Sequence, residues 1–367
     1  MSAKEENIKT MISSAPSSFQ SNEFSMPSRP HRHAVRTRGM LMWLCSAVTV
    51  LLVVPSAFSS IPNTCPPTSK ISPCTCKPNY DGACVIQCQA AKYEELVKLS
   101  QIPNLCEGHV YFILVHSVIS GIPGSLWTVL LSSKTVDVSI KYSNMAHLIP
   151  PEEPALTPAT SPGKAVLKVT HCSDISGWKW SQLSSFTPEE EMTVVVDDTP
   201  LPRLDSAFAL LGAGKMSRVT IDQAQLESLP QGVFSSFHEL ASFSVQLNNL
   251  EQIQRSVLPK PASKLQFLHL NGNSFSSLPD DLFSDMPKLQ VVYLRENRLT
   301  TLPENLFSLA NSKTIHLMDF VQNPWMCDCK LMRILSGTLL NINMGDCDSP
   351  EDLAGQSVEE VRDILKC

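Results

Sequence analysis

The stretches LQFLHLNGN at residues 265–273 and LQVVYLREN at residues 289–297 superpose at an offset of 24 residues. Apolar residues alternate along each stretch, which is the two-residue period of a strand with one buried face. The closing Asn, at 273 and 297, can bond to backbone groups and turn the chain out of the strand. A unit of this kind cannot bury its apolar face alone, so the pattern predicts units stacked into a solenoid.

Earlier units keep the same frame, although their sequences are less regular. At the position of the two asparagines, which we call the marker position, the units carry Ser117, Ser143, Cys172, Thr199, Ala224, Asn248, Asn273 and Asn297. Successive markers lie 24 to 29 residues apart, which agrees with the period of solenoids built from strand-and-turn units. Cys172 is therefore predicted to be a buried thiol, with an intermolecular disulfide as the alternative.

Aromatic residues recur between the strands. Three of them follow Leu-Pro pairs at equivalent places, namely Phe234, Phe283 and Phe307. We predict that these rings pack in the core. Trp178 and Trp180 lie in an unusually long unit, and they are interpreted either as a binding protrusion or as core and loop packing.

Cysteine usage is the second strong signal. Four of the 12 cysteines follow Asn323-Pro324-Trp325 at the C-terminal end: Cys327, Cys329, Cys347 and Cys367. Six precede the first unit: Cys65, Cys74, Cys76, Cys84, Cys88 and Cys106. A zinc site is the competing interpretation of the C-terminal set, but disulfides are favoured if the chain enters an oxidising compartment.

The repeats and the two cysteine sets resemble those of extracellular leucine-rich repeat proteins. The resemblance implies an α/β solenoid, a leucine-rich repeat horseshoe of about eight repeats with disulfide-stapled N- and C-terminal caps. It also implies the pairs Cys327–Cys347, Cys329–Cys367, Cys65–Cys76 and Cys74–Cys88, with Cys84–Cys106 as a third N-terminal pair. Six cysteines can pair in many ways, so the N-terminal connectivity stays open.

The run Cys65-Pro-Pro with Pro73-Cys-Thr-Cys76, together with the irregular early repeats, resembles a narrower group. These are small secreted arthropod leucine-rich repeat proteins, among them the non-catalytic subunit of a shrimp luciferase. That resemblance implies a companion protein without chemistry of its own. The chain departs from the group in lacking an N-x-S/T sequon and in having three extra residues between Leu317 and Asn323.

The first 60 residues differ from the rest in composition. Residues 1–39 are polar and are predicted to be an unstructured extension, whereas residues 40–60 contain an apolar run followed by small residues. That segment is predicted to be a signal peptide, with an uncleaved signal anchor as the alternative. The mature chain then has an N-terminal cap at 61–107, repeats at 108–322 and a C-terminal cap at 323–367.

Charge and composition exclude some functions. Hydrophobic residues make up 43% of the chain and charged residues 17%, with a net charge of −6. Residues 1–60 carry six Lys/Arg and three Asp/Glu, so their removal leaves a net charge of −9. An acidic body disfavours nucleic acid as a partner.

Catalytic motifs are lacking in this sequence. Its histidines after residue 60 have no i, i+4 metal-binding spacing, and there is neither a G-x-S-x-G elbow nor a glycine-rich phosphate loop. The prediction is a protein that is not an enzyme, with no catalytic residue, no cofactor and no metal. An enzyme subunit associated with luciferase-like chemistry is the third alternative.

Residues between the inward leucines are predicted to form the concave surface. Their central column is Ile113, Ser139, Lys168, Val195, Thr220, Ser244, His269, Tyr293 and His316. We predict that a protein or glycan partner binds the patch Phe267, His269, Tyr293, Arg295 and His316, since aromatic and Arg side chains are enriched at interfaces. The alternative is a bare surface. The overall prediction is a secreted, extracellular binding protein, with a membrane-tethered receptor or adhesion ectodomain as the alternative.

Overall fold

One long sheet runs through the part of the chain that the computed structural model describes. The model describes residues 65–367 except 81, 103, 104, 107, 154, 155, 157–159, 174, 176, 308–312, 337–339 and 366. These residues fall within one unit, Phe58–Cys367. The predicted extension at 1–39 and the predicted signal segment at 40–60 lie outside the described residues.

The described part of the chain consists of many strands, joined by a few helices and by turns and loops. The strands are β1 (Cys74–Pro78), β2 (Cys84–Gln89), β3 (His109–Val115), β4 (Val118–Ile119), β5 (Thr135–Lys141), β6 (Asn144–Met145), β7 (Lys164–Thr170), β8 (Glu191–Asp197), β9 (Met216–Asp222), β10 (Ser242–Ser244), β11 (Phe267–His269), β12 (Val291–Tyr293), β13 (Leu317–Asp319), β14 (Trp325–Met326), β15 (Ile342–Asn343) and β16 (Cys347–Ser349). The α-helices are α1 (Thr68–Ile71), α2 (Tyr93–Ser100), α3 (Gly124–Leu131), α4 (Cys329–Ser336) and α5 (Val358–Leu365). Short 3₁₀ helices span Trp180–Leu183, Ser206–Gly214 and Arg255–Val257.

Twelve of the described strands form the main sheet, in the order β1, β2, β3, β5, β7, β8, β9, β10, β11, β12, β13 and β15. The cap strands β1 and β2 are antiparallel, whereas every later neighbour in this sheet is parallel. Nine of these strands, from β3 to β13, belong to repeats. The predicted solenoid of about eight repeats with cysteine caps is confirmed.

Strand length changes along the sheet. The strands β3, β5, β7, β8 and β9 have seven residues each, whereas β10 to β13 have three. The early strands place an apolar residue at every second position, as in TVDVSIK and KAVLKVT, and both strands are rich in β-branched residues, which favour strands. The repeats that looked least regular in sequence therefore make the longest strand pairs.

The marker residues connect neighbouring repeats through buried hydrogen bonds. In the late repeats, Asn297 Nδ2 donates to three carbonyl oxygens at 3.0–3.1 Å, and its Oδ1 accepts the Phe275 N–H at 3.2 Å. In the early repeats, hydroxyls take the same role, since Ser117 N–H donates to Ser143 Oγ at 3.1 Å. Cys172 N–H likewise donates to Thr199 Oγ1 at 3.1 Å.

Cys172 is a free, buried cysteine at its marker position, which confirms the prediction of a buried thiol. Its Sγ lies 3.4 Å from the Thr170 carbonyl oxygen. Burial raises the pKa of the Cys172 thiol above its ordinary value. The thiol is therefore neutral at physiological pH and replaces an asparagine as a structural group.

The residue before each marker adopts a left-handed backbone conformation. Nine successive repeats show φ between 43° and 62° at this place: His116, Tyr142, His171, Asp198, Gln223, Leu247, Gly272, Glu296 and Gln322. A glycine occurs once in this series, and there a Cβ atom would lie 2.5 Å from Leu247 Cδ2. The fold thus imposes on L-residues a conformation that they rarely adopt.

An aromatic column lies in the core between the strands. Trp180, Phe208 and Phe234 are fully buried, with ring centroids 4.8 Å and 5.7 Å apart. Phe283 is also buried, whereas Phe307 is half-buried and packs on Phe320. Of the three phenylalanines predicted to pack in the core, Phe234 and Phe283 are therefore fully buried and Phe307 is partly exposed.

Both ends of the sheet carry disulfides. The structure contains the bonds Cys65–Cys76, Cys74–Cys88, Cys84–Cys106, Cys327–Cys347 and Cys329–Cys367. These are the same five pairs that the family resemblance implies. At the C-terminal end, β15 extends the main sheet, and the buried Trp325 donates its indole N–H to the Met344 carbonyl oxygen at 2.8 Å.

Within the described residues, none of the helices has the length and apolar character required to cross a bilayer.

Candidate partner-binding face

We call the surface of the main sheet that faces away from the core the open face. Strand register places these residues side by side along its centre: Ile113, Ser139, Lys168, Val195, Thr220, Ser244, His269, Tyr293 and Asp319. The residues on either side of each one along the chain are buried in the core. The first eight agree with the column expected from the sequence.

Aromatic side chains cluster on the open face of β11 and β12. The His269 ring lies 5.0 Å from the Tyr293 ring and 6.4 Å from the Phe267 ring, measured between centroids. Phe267 is 37% exposed, so part of its ring is open to solvent beside the other two rings. We call Phe267, His269, Tyr293 and Arg295 the aromatic patch.

Arg295 is held at the border of the patch by an acidic neighbour. Its Nη1 lies 3.4 Å from Oδ2 of Asp319, whose side chain is 8% exposed. Asp319 Oδ1 also accepts the Val321 N–H at 3.2 Å. Because the carboxylate is buried and has two partners, it fixes the direction of the guanidinium, which stays partly exposed.

His316 does not join the central column, and this corrects the sequence alignment of the last repeat. Val292 pairs with Met318 and Tyr293 pairs with Asp319, so His316 precedes β13 by one residue and lies beside Gln290. Three residues separate it from the column position, or about 10 Å along a strand. Its side chain is exposed, and it stands apart from the centre of the patch.

The three extra residues expected between Leu317 and Asn323 are not an insertion at the cap junction. Phe320 takes the buried position of Leu294, and Asn323 takes the marker position, where its Oδ1 accepts the Leu299 N–H at 3.1 Å. The additional length of the last repeat therefore lies before β13, and the junction with the cap keeps the ordinary geometry.

A polar network lies beside the patch on the neighbouring strands. Asp222 accepts hydrogen bonds from Ser244 Oγ at 2.7 Å and from the Gln246 N–H at 2.8 Å. Gln246 Oε1 accepts from Asn271 Nδ2 at 2.8 Å, and Asn271 Oδ1 accepts the Arg295 N–H at 2.8 Å. This chain of bonds holds the row next to the patch in one arrangement.

Burial shifts the pKa of two titratable groups in and beside the aromatic patch. It lowers the pKa of His269 below its ordinary value; the Arg218 guanidinium acts in the same direction, and the Asp222 carboxylate opposes both. Burial raises the pKa of Asp222, although its hydrogen bonds from Ser244 and Gln246 oppose that shift. Neutral pH therefore leaves His269 uncharged within the aromatic patch.

Comparison with protein families agrees with this geometry. The family described as "Leucine rich repeat" matches residues 263–319, which contain β11, β12 and β13. The chain is a leucine-rich repeat solenoid. The match does not separate the arthropod, luciferase-associated group from other proteins with these repeats, so the narrower resemblance stays a prediction.

Solved structures also resemble the leucine-rich repeat solenoid. One is a chain of the "Octameric complex of Latrophilin 3 (Lec, Olf), Unc5D (Ig, Ig2, TSP1) and FLRT2 (LRR)", with 19% identity and a TM-score of 0.43. The alignment covers 77% of this chain and 96% of that one. At this level of similarity nothing follows about the partner of the present chain. No curated protein matches the sequence.

We expect the solenoid to lose stability in mild acid through His269. Its pKa is lowered by folding, so the unfolded chain binds the proton first; stability then falls as pH drops below about 6.5 towards the lower folded value. The free energy of unfolding in urea, measured at about pH 7.5 and about pH 5, should fall more in the wild type than in His269→Gln. Equal losses of unfolding free energy in the two proteins would show that His269 does not cause the loss of stability in acid.

Sequence reasoning missed a second group of rings at the edge of the open face. The exposed side chains of His116 and Tyr142 have ring centroids 5.4 Å apart, and those of Tyr142 and His171 are 4.8 Å apart. All three occupy the left-handed position before a marker. Counting back one residue from each marker would have placed them in one row.

Three cysteines of the N-terminal cap lie close together. Among the described residues, the Sγ atoms of Cys65, Cys76 and Cys84 lie within 4.8 Å of one another. All three belong to disulfides, so they offer no thiolate to a metal ion. Their proximity reflects the packing of two disulfides in the N-terminal cap.

Proposed function

We propose that this chain is an extracellular, non-catalytic binding protein whose partner is a protein that docks on the aromatic patch. The observation that carries the proposal is the set of partly exposed rings of Phe267, His269 and Tyr293 beside an oriented guanidinium. Aromatic and Arg side chains supply the largest share of binding energy in protein interfaces.

The surroundings of the patch suit a protein surface. Strands β9 to β13 lie side by side on the open face, and five strands at their usual spacing span about 20 Å. That width agrees with a docking area of about 800 Å² on each partner. The two carboxylates closest to the patch, Asp222 and Asp319, are occupied by internal hydrogen bonds. Arg218 and Glu296 are exposed and Arg295 is partly exposed, so the patch offers charges of both signs for pairing with polar groups of a protein surface.

Five disulfides support the extracellular location, because such bonds persist in oxidising compartments. The apolar segment at 40–60 would deliver the chain there as a cleaved signal peptide. If that segment stays attached, the same face belongs to a membrane-tethered ectodomain. A role as the companion subunit of another secreted protein is compatible with either form.

The test is capture of the partner by a double variant. The wild-type protein, immobilised, is used to isolate its ligand from extracellular fluid of the source, and the purified ligand is titrated against each variant. Tyr293→Ala combined with Arg295→Ala should weaken binding by about 100-fold or more. Secretion should not change, because both side chains are partly exposed.

The control is Val195→Ala, which lies in the same central column on β8, away from the patch. It should bind the ligand as the wild type does. Unchanged capture by the double variant would refute docking at the patch. A purified ligand that loses binding after enzymatic deglycosylation would show that a glycan, not a protein surface, is recognised there.

A further inference from the structure

A groove separate from the open face lies between the loops that follow β7 and β8. It has a volume of about 720 Å³ and is lined by Trp178, Pro200, Pro202, Arg203, Leu204 and Asp205. This volume is in the range of sites that hold small ligands. We call it the Trp178 groove. None of its residues belongs to the aromatic patch.

Trp178 is fixed in one orientation. Its ring stacks on the fully buried ring of Trp180, with centroids 5.2 Å apart and planes 23° apart. Its Nε1 donates to the Pro200 carbonyl oxygen at 2.9 Å. The part of the indole that Trp180 leaves uncovered lines the groove. An aromatic surface that needs no rearrangement loses little entropy when a ligand is bound.

The walls of the groove offer few hydrogen bonds, and its rim offers several. Pro200 and Pro202 have no N–H group, and the Trp178 indole N–H is already used. On the rim, the Arg203 side chain is 84% exposed, and its ion pair with Glu227, at 3.8 Å, is open to solvent and weak. Asp205 is exposed and uses Oδ1 to accept the Ala207 N–H, which leaves Oδ2 facing solvent.

This distribution of polar groups distinguishes between ligand classes. A peptide brings an N–H and a C=O with each residue, and these groups must be paired when they are buried. Pro200 and Pro202 have no N–H to donate, and their carbonyl oxygens already accept from Trp178 Nε1 and the Glu227 N–H, so these walls are poor partners for a peptide. A sugar ring carries C–H groups on one face, which suit the negative face of an aromatic ring, and its hydroxyls lie around its edge. Those hydroxyls can reach the Arg203 donors and the Asp205 acceptor.

We propose that the Trp178 groove binds a glycan, with one sugar ring packed on the Trp178 indole and its hydroxyls bonded to Arg203 and Asp205. The two sites are independent, so the chain can hold a protein on its open face and a glycan in the groove at the same time.

The experiment is a titration of the whole protein with oligosaccharides, followed by saturation-transfer NMR. The probes are cellotriose, chitotriose, maltotriose and sialyllactose, each added up to about 10 mM. At least one should bind with a Kd on the order of 1 mM and should transfer saturation most strongly at the C–H protons of one ring. In protein from which residues 1–60, with Trp43, have been removed, it should also protect indole fluorescence from acrylamide, since Trp127, Trp180 and Trp325 are fully buried.

Variants locate the binding site. Trp178→Ala should abolish the saturation transfer, and Arg203→Ala, at a side chain that is 84% exposed, should weaken binding by about 10-fold. Arg298→Ala, at another exposed arginine, and Tyr293→Ala, in the aromatic patch, should bind as the wild type does. Loss of protein capture by Tyr293→Ala would not change the sugar binding. The proposal for the open face and the proposal for the Trp178 groove can therefore be refuted independently.

Three results would overturn the proposal. The first is no saturation transfer from any of the four oligosaccharides to the folded wild-type protein. The second is sugar binding that Arg203→Ala leaves intact, which would place the sugar elsewhere. The third is protection of the Trp178 indole by a proline-rich peptide and by none of the sugars, which would make the groove a peptide site.

Discussion

Replacing Asn297 by alanine is expected to lower the free energy of unfolding by about 3 kcal/mol or more. The Asn297 side chain is 6% exposed, and it makes four hydrogen bonds, two to Leu270 and Phe275 of the previous repeat and two within its own repeat. Alanine removes all four, and the buried Phe275 N–H loses its acceptor. The change also leaves a small cavity between two stacked repeats.

Equilibrium unfolding in urea, followed by circular dichroism, measures this loss. The control is Arg298→Ala, one residue further on, where the side chain is exposed and the expected change is within about 0.5 kcal/mol. One repeat has no polar side chain at its marker position. There the backbone carbonyl of Ala224 accepts the Leu201 N–H at 2.7 Å. An unchanged urea midpoint for Asn297→Ala would mean that backbone groups can replace the asparagine there too.

Replacing Cys327 and Cys347 together by serine is expected to be the most damaging change at the C-terminal cap. Both sulfurs are buried, and their bond closes a loop whose ends are 20 residues apart. Loss of a cross-link over such a loop destabilises a small domain by about 3 kcal/mol. The cap covers the last repeat through Trp325 and β15, so its loosening exposes an apolar face and a strand edge.

The measurement is the amount of folded protein secreted, together with its melting temperature. The double serine variant should be retained in the cell or should melt several degrees lower than the wild type. Its counterpart is Cys329→Ser with Cys367→Ser, which should have a smaller effect because Cys367 is exposed and its replacement disturbs less packing. Secretion and melting equal to the wild type for Cys327→Ser with Cys347→Ser would show that the cap does not depend on this bond.

Most of the fold could be predicted because the marker position recurs with a nearly constant step. Ser117, Ser143 and Thr199 differ from asparagine, yet each has a side-chain oxygen that accepts a backbone N–H, from the N-terminal cap for Ser117 and from the preceding repeat for the other two. The physical requirement is a short buried acceptor, so the residue type varies while the spacing persists. Strand lengths and short helices could not be predicted from the spacing, because they depend on packing between repeats.

The misplacement of His316 has a specific cause. Ile315-His316-Leu317 and Met318-Asp319-Phe320 both alternate apolar, polar and apolar residues, so a two-residue period fits either triplet. The choice depends on the distance to Asn323, which is a marker in the structure. Of the patch expected from the sequence, Phe267, His269, Tyr293 and Arg295 lie close together and His316 does not. Partner binding by these residues stays a prediction, and the acidic neighbour Asp319 has no counterpart among the expected residues.

The change in strand length along the sheet should determine which repeats separate first when the molecule is pulled. Neighbouring strands from β3 to β9 are joined over six or seven residue pairs, whereas those from β9 to β13 are joined over three. Each repeat is held chiefly by its neighbours. We therefore expect tension along the solenoid to separate the C-terminal repeats first, because fewer backbone pairs join their strands. The aromatic patch lies on these shorter strands. A tethered partner that pulls on the patch would therefore load the part of the solenoid with the fewest pairs between strands.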